Sequence, residues 1–316
     1  MPSIHLTNTF LEAATKILEK IYTKSGLEIP LRWPEVFNTP DYDMRRRFFS
    51  QHSIVPFGLL SQMGEATQAP LDSAGPGLTS TFFWQNFGLR YIISDDAQLE
   101  DPQSIFKEFP KMLRYSVDQT QEYLFWNILN LSFLSWAEGG YNLADGQPLI
   151  SAVHPLTGLP GVTVSNFLGD VALTVESLQA VIIQFNLIKD DRGKLIRYIP
   201  KDIIYPPGLH QTVVEVLQAY FYPSTDQNRP NVVYNAVTPI AVQYLTPAQG
   251  PGPFPWWVTA GKGKLGRDAH SMFAALKYNK QRSYIDPTNQ NLVHEAKIRV
   301  SMGAVDWRGI VGSGGA

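Results

Sequence analysis

The segment from Gly261 to Gly266 carries the pattern that most closely matches a chemical motif, because its three glycines fit G-x-G-x-x-G. It follows a strand-like Trp257–Thr259 and precedes a helix-like run around Met272 to Leu276, and Asp286 lies 20 residues after Gly266. In dinucleotide-binding proteins such glycines let a pyrophosphate approach a helix N-terminus, and the later acidic residue binds a ribose. However, no clear second parallel strand precedes Asp286, and 50 residues follow Gly266. We therefore interpret the segment as a flexible turn, with a dinucleotide-binding enzyme as the disfavoured alternative.

The histidines and the acidic pairs do not form a reactive group. The six histidines, His5, His52, His154, His210, His270 and His294, are too widely spaced for two of them to bind a metal from one helix. Adjacent acids at Asp95-Asp96 and Asp190-Asp191 would point to opposite faces of a strand, so turn and helix-cap roles are predicted. His154, beside Pro155, is expected to have a structural hydrogen-bonding role. The sequence thus predicts no catalytic residue, no metal site and no cofactor, and a protein that is not an enzyme.

One dense basic run, Arg45-Arg46-Arg47, stands out from a chain of low charge. The simplest interpretation is a solvated patch, and contact with the phosphates of a nucleic acid is the alternative. Charged residues make up 17% of the 316 residues, against about 25% in typical globular proteins, and the net charge is −2. This balance excludes a strongly basic nucleic-acid binder.

The remaining composition favours a protein that covers its surface with copies of itself. Aromatic residues reach 12%, and a chain with few charges and many aromatics is typical of extensive subunit contacts. The absence of cysteine excludes disulfides, thiolate metal sites and a cysteine nucleophile. The start of the chain has no basic and apolar leader pattern, and we expect a soluble protein made in a cytosol.

The predicted elements follow a distinctive order. Residues 7–24 form an amphipathic helix, and the proline-rich stretch to about residue 47 is predicted as an extended arm that another surface must order. Residues 48–94 predict a long two-stranded excursion with a flexible tip at 64–79, because strand-like runs flank a Gly, Pro, Ala and Ser-rich segment. A spine helix is predicted over 102–136, because Asp101-Pro102 is a typical helix start and apolar residues recur every three or four positions from Pro110, which marks a restart or kink.

The second half alternates shorter elements. Thr174 is predicted to cap a helix, and a second helix is predicted over 209–220. Strands are predicted within 195–205, 232–245, 254–259 and 293–300, followed by a glycine-rich tail over 309–316.

Ordered features across about residues 50–310 resemble the Mu-like major head subunit family of tailed-phage capsid proteins. The features are Asp145 to Ser151 with His154-Pro155, then Ser165-Asn166, the helix start at Leu173-Thr174, Asp190 to Gly193, Pro200 to Pro207, Lys297 to Val300 with Gly303, and Trp307 to Gly309. Ile150, Ile203 and Tyr205 depart from the family pattern. Each feature is weak alone, and their order and spacing make the resemblance specific.

The resemblance implies an α+β subunit with the Hong Kong 97-type capsid fold. Its expected parts are an N-terminal arm over 1–50, an extended β-hairpin loop over 51–98, a peripheral domain with the spine helix over 99–175, an axial domain over 176–285, and a peripheral return strand with a C-terminal tail over 286–316.

The implied function is that of a major capsid protein. Hexamers and pentamers would close into the icosahedral shell of a virion that encloses double-stranded DNA, with scaffold, portal and decoration or cement proteins as partners and assembly in the cytoplasm of a bacterial host. We expect Phe82, Phe83, Trp84 and Phe87 to anchor the loop on a neighbour, because aromatic residues often dominate interface energies, and packing within their own subunit stays open. An encapsulin-type compartment of the same fold is the alternative within this structural class.

Overall fold

The computed structural model describes residues 7–25, 30–40, 47–65, 67–94, 96–97, 105–222, 229–245, 254–262 and 270–315. The α-helices are α1 (Thr7–Lys24), α2 (Trp33–Val36), α3 (Phe109–Asn130), α4 (Val175–Leu187) and α5 (His210–Gln218). Short 3-10 helices lie at Ile105–Lys107, Trp136–Glu138 and Pro207–Leu209.

The described strands form four small sheets. The strands are β1 (Phe48–Val55), β2 (Gly75–Phe83), β3 (Gln85–Ile93), β4 (His154–Pro155), β5 (Thr163–Val164), β6 (Asp202–Tyr205), β7 (Thr238–Ala241), β8 (Trp256–Thr259), β9 (Met272–Ile285), β10 (Leu292–Ala304) and β11 (Ile310–Ser313). Strands β1 and β2 form an antiparallel hairpin, as do β4 and β5. The order β3-β10-β9 makes a three-stranded antiparallel sheet, and β11-β8-β6-β7 makes a four-stranded mixed sheet.

Helix α3 is the predicted spine, and it is shorter than the sequence suggested. Its 22 residues span about 33 Å at ~1.5 Å per residue, with Pro110 in the first turn, where a missing N–H costs nothing. The helix ends at Asn130 instead of 136, because the Ser132 carbonyl accepts a hydrogen bond from the Ile150 N–H and the chain turns away. The predicted start at 102 lies outside the described residues.

The two largest of the four hydrophobic cores among the described residues contain most of the buried apolar side chains. The first surrounds α3 and includes the three-stranded sheet together with Trp33, Val36 and Phe37. The surface that orders part of the proline-rich stretch to residue 47 belongs to the same subunit, because Trp33, Val36, Phe37 and Asn38 are buried there. The second core lies between α4, α5 and the four-stranded sheet.

Several predicted strands and helices need correction. The run Phe82–Ile93 is not one strand, since the chain breaks at Trp84 and β3 leaves the hairpin to pair with β10. The helix-like run at Met272–Leu276 is the start of β9, because it pairs with Val300 to Ala304 of β10. The boundary predicted between residues 285 and 286 consequently falls inside the β9–β10 hairpin.

The C-terminal segment is a buried strand, whereas the sequence suggested a tail. Strand β11 pairs with β8 and all four of its residues are buried. A Cβ atom at Gly312 would lie 3.0 Å from Ile150 and Trp257 side-chain atoms, so glycine favours this close approach. The strand thus closes the sheet of the second core.

Candidate assembly surfaces

The base of the β1–β2 hairpin is fixed by an aromatic cluster. The Phe82 ring meets the Phe273 ring edge-on at 4.8 Å, and the Phe49 ring lies 5.3 Å from Phe82. Trp84 lies 5.9 Å from Phe49 and is 7% exposed. Edge-to-face pairs of this kind add stability beyond the area they bury. The hairpin therefore projects from a rigid foundation on β9.

The four aromatic residues predicted as anchors on a neighbour occupy different environments. Trp84 is buried in its own subunit, Phe82 is half-buried in the aromatic cluster, and Phe87 is half-buried against the first core. Phe83 is 60% exposed and lies 6.1 Å from the Phe48 ring. Of the four, Phe83 has the largest surface free for a neighbour, and its role as an anchor stays a prediction.

The loop between β1 and β2 exposes a group of large apolar residues. This tip loop, residues 56–74, carries Phe57, Leu59, Leu60, Met63 and Leu71. Leu60 and Leu71 are fully exposed. An exposed apolar cluster marks an interaction surface more often than isolated apolar residues do. The signal was available in the sequence, because leucines within a Gly- and Pro-rich segment have no regular element through which to pack.

Polar contacts hold the ends of the tip loop against the turn at residues 190–194. The Arg192 guanidinium lies 3.2 Å from the Asp72 carboxylate and also donates to the Ser73 carbonyl at 2.8 Å. The Lys194 ammonium donates to the Phe57 carbonyl. Backbone N–H groups of Gly58 and Ser73, followed by the charge of Arg192, lower the pKa of Asp72.

One buried hydrogen-bond network contains residues from three of the motifs on which the family resemblance rests. His154 Nδ1 lies 2.7 Å from an Asp145 carboxylate oxygen, and its Nε2 lies 3.1 Å from Asn166 Oδ1. Asn166 Oδ1 also accepts from the Ser151 N–H at 2.8 Å, while Nδ2 donates to the Leu149 carbonyl at 2.8 Å. Asn166 Nδ2 also donates to the Trp307 and Ile310 carbonyls, both at 3.3 Å. His154 therefore has the predicted structural role, in a network that ties the segment after α3 to the C-terminal strand.

Arg308 extends this junction to the turn at 190–194. Its guanidinium contacts Asp191 at 3.1 Å and Asp306 at 2.9 Å, and it lies 4.6 Å from the Trp307 ring, which stacks on His154. Burial alone would lower the pKa of Arg308, but Asp306 and Asp191 raise it. Asp190 accepts from the Arg192 and Lys194 N–H groups, so this acidic pair has the turn role that the sequence predicted.

The structure removes the context that a dinucleotide site would need at the glycine segment. Gly263 to Gly266 lie outside the described residues, and the next described element is strand β9, whereas a pyrophosphate site needs a helix N-terminus. Asp286 accepts from the Thr288 N–H in the β9–β10 turn. Lys262 donates to the Pro34 carbonyl at 2.6 Å, which places this lysine beside the N-terminal region.

The described residues include only part of the basic run. Arg45 and Arg46 lie outside the described residues, and Arg47 is exposed at the start of β1. Within the described ranges, no group of three or more metal-ligating side chains occurs. In the same part of the chain, no helix is long and apolar enough to cross a bilayer.

A long hairpin, a spine helix packed on a three-stranded sheet, and a second core around a four-stranded sheet together define a shell subunit with the Hong Kong 97-type capsid fold. Three solved structures share this arrangement. They are the mature capsid of bacteriophage PhiM1 (TM-score 0.63, 8% identity, 93% of this chain and 89% of that chain), the capsid of cyanophage P-SCSP1u (0.58, 10%, 92% and 90%) and the decorated capsid of bacteriophage JBD30 (0.55, 10%, 76% and 99%).

The chain belongs to the phage capsid protein family, because the model of the family described as "Phage capsid protein" matches residues 79–313. No curated protein matches the chain. The predicted resemblance to tailed-phage capsid proteins and the α+β fold class are thus confirmed, and the protein is a capsid shell subunit. These findings do not favour the encapsulin-type compartment.

Proposed function

We propose that this protein is the major head subunit of a tailed phage, that it forms hexamers and pentamers, and that these close into an icosahedral shell around double-stranded DNA. The observation that carries the proposal is the apolar tip loop, which the fold holds away from both hydrophobic cores. Burying each exposed leucine would contribute about 1.5–3 kcal/mol, so a neighbouring copy is the natural cover. Several modest contacts made together in a closed shell reinforce one another.

The other predicted partners rest on the same family membership. Scaffold and portal proteins would guide closure, and a decoration or cement protein is supported by the JBD30 capsid, whose structure is described as decorated with minor capsid protein trimers. Exposed Arg47 supports a non-specific contact with packaged DNA, to which Arg45 and Arg46 would add charge. The subunit would be assembled in the bacterial cytoplasm, would remain in the virion, and would carry out no catalysis.

The domain assignment that we propose follows the two cores. The peripheral domain contains α3 and the sheet of β3, β10 and β9. The axial domain contains α4, α5 and the sheet that β11 completes. Strand β9 therefore joins the peripheral domain and β11 joins the axial domain, which changes the predicted boundaries at 285 and 286.

Sedimentation of purified protein tests the role of the tip loop. The triple substitution Leu59→Ser, Leu60→Ser and Leu71→Ser removes exposed apolar surface, so the subunit should stay folded while shell formation is lost. A matched control substitutes Met112, Ile183 and Val232, which are also exposed and lie outside both the tip loop and the turn at 190–194. Shells formed by the tip-loop variant at the same concentration as by the unaltered protein would refute this role. Deletion of the predicted tip, residues 64–79, is less suitable, because it would remove part of β2.

A further inference from the structure

The contacts between the tip loop and the turn at 190–194 form an intramolecular clasp. The clasp consists of the Asp72–Arg192 ion pair at 3.2 Å, the hydrogen bond from Arg192 to the Ser73 carbonyl at 2.8 Å, and the bond from Lys194 to the Phe57 carbonyl. Phe57 lies just after β1, and Asp72 and Ser73 lie just before β2. Both sides of the tip loop are therefore tied to the body of the same subunit.

The body side of the clasp is fixed more firmly than the loop side. The Asp190 carboxylate accepts from the backbone N–H groups of Arg192 at 2.9 Å and Lys194 at 2.8 Å, which shapes the turn. Asp191 in the same turn pairs with Arg308 at the buried junction, at 3.1 Å. Opening the clasp would consequently move the tip loop and leave the turn in place.

The clasp leaves the apolar part of the loop uncovered. Its bonds engage polar and charged groups, whereas Leu60 and Leu71 stay fully exposed. Exposed ion pairs contribute weakly, and about a fivefold effect on an equilibrium is the upper end for one pair. Such a contact is strong enough to bias the position of the loop and weak enough to be replaced when an apolar surface becomes available.

We propose that this clasp holds the tip loop on its own subunit before assembly and must open before the loop can dock on a second copy of the chain. The inference rests on the proposed function, since it concerns the shell contact assigned to the loop. The clasp then acts as a restraint that raises the protein concentration at which shells form.

The absence of cysteine allows a direct test of the clasp. In the variant Asp72→Cys, Arg192→Cys, a short bis-maleimide would join the two sides within one subunit, and mass spectrometry would confirm the intramolecular product. The same variant treated with N-ethylmaleimide is the matched control, because it carries the same substitutions and modifications without the link. Shell formation is then followed by light scattering and sedimentation.

The linked subunit should form no shells at a concentration where the N-ethylmaleimide control assembles. Shells from the linked subunit in the same yield would overturn the proposed clasp, because the loop would then assemble without leaving the turn. If the unaltered protein formed no shells under any condition, the proposed function itself would fail. The two failures are thus distinguishable.

A substitution that weakens the clasp should have the opposite effect. Arg192→Ala should lower the concentration at which shells form by up to about fivefold, whereas Arg197→Ala should leave it unchanged. Arg197 is a suitable control because it is exposed on the same segment and carries the same charge. An Arg192→Ala variant that requires the same or a higher concentration would contradict the clasp as a restraint.

Discussion

Asn166 offers the sharpest test of how the buried junction holds the subunit together. The side chain is fully buried, and its amide makes short bonds with the Ser151 N–H and the Leu149 carbonyl, both at 2.8 Å, in addition to the contact with His154. Asn166→Ala would leave at least two of these buried polar groups without partners. Each such group costs about 1–3 kcal/mol, so we expect a loss of ~3–5 kcal/mol in the free energy of unfolding.

The measurement is urea denaturation of unassembled subunits, followed by tryptophan fluorescence at a concentration where light scattering shows no shells. Asn186→Ala is the matched control, because Asn186 is exposed and its side chain bonds to the carbonyl of Ile182 in its own helix. This control should change the free energy of unfolding by no more than about 0.5 kcal/mol. A loss below ~1 kcal/mol for Asn166→Ala would refute the reasoning that the network fastens the C-terminal strand.

Three further predictions concern pH, the spine and the hairpin. Burial lowers the pKa of His270 from 6.5 to about 4. Between these pH values the unfolded chain binds a proton that the folded chain does not. The free energy of unfolding should therefore fall by up to ~1.4 kcal/mol per pH unit as the pH drops from 6.5 towards 4. Urea titrations of His270→Asn should show a smaller loss over that range, and an equal loss would contradict the assignment. Leu124→Pro should lower the free energy of unfolding by more than ~3 kcal/mol and give insoluble protein, whereas the Leu124→Ala variant should stay soluble. A proline variant that assembles into shells would count against the helix. Phe83→Ser should change the free energy of unfolding by no more than ~0.5 kcal/mol and should weaken assembly. Phe82→Ser should lower the free energy of unfolding, measured by denaturation, by ~3 kcal/mol. Equal losses would show that both rings pack in the same core.

The pH prediction has a geometric basis beyond burial. His270 Nε2 donates to the Val36 carbonyl at 2.7 Å, and Nδ1 accepts from the Met272 N–H at 3.2 Å. This pattern suits a neutral ring, because a proton on Nδ1 would face another N–H. Burial raises the pKa of Glu122, which makes acid favour the folded state at that site. The difference between the unaltered protein and His270→Asn isolates the histidine from this opposing effect.

Local sequence signals were sufficient where a structure depends on neighbouring residues. Thr174 caps α4 as predicted, with Ser177 N–H donating to its hydroxyl at 3.1 Å. The three- and four-residue spacing of apolar residues likewise predicted α3. In both elements the determining interactions span a few positions, so they are visible without the fold.

The errors arose where distant segments decide the local structure. Met272 to Leu276 contains good helix formers, but pairing with β10 along its length makes the segment a strand. The sequence predicts a glycine-rich tail at Gly312, because the close approach of this residue to Trp257 depends on a distant segment. The clasp joins Asp72 to Arg192, which lie 120 residues apart, and no local pattern reveals such a pair.

Electron microscopy of the purified protein, examined over a range of concentrations, tests the central claim most directly. We predict closed particles of uniform size whose walls consist of rings of six and five subunits. A protein that remains a dispersed monomer at every concentration, including in the presence of the remaining head proteins, would contradict the account.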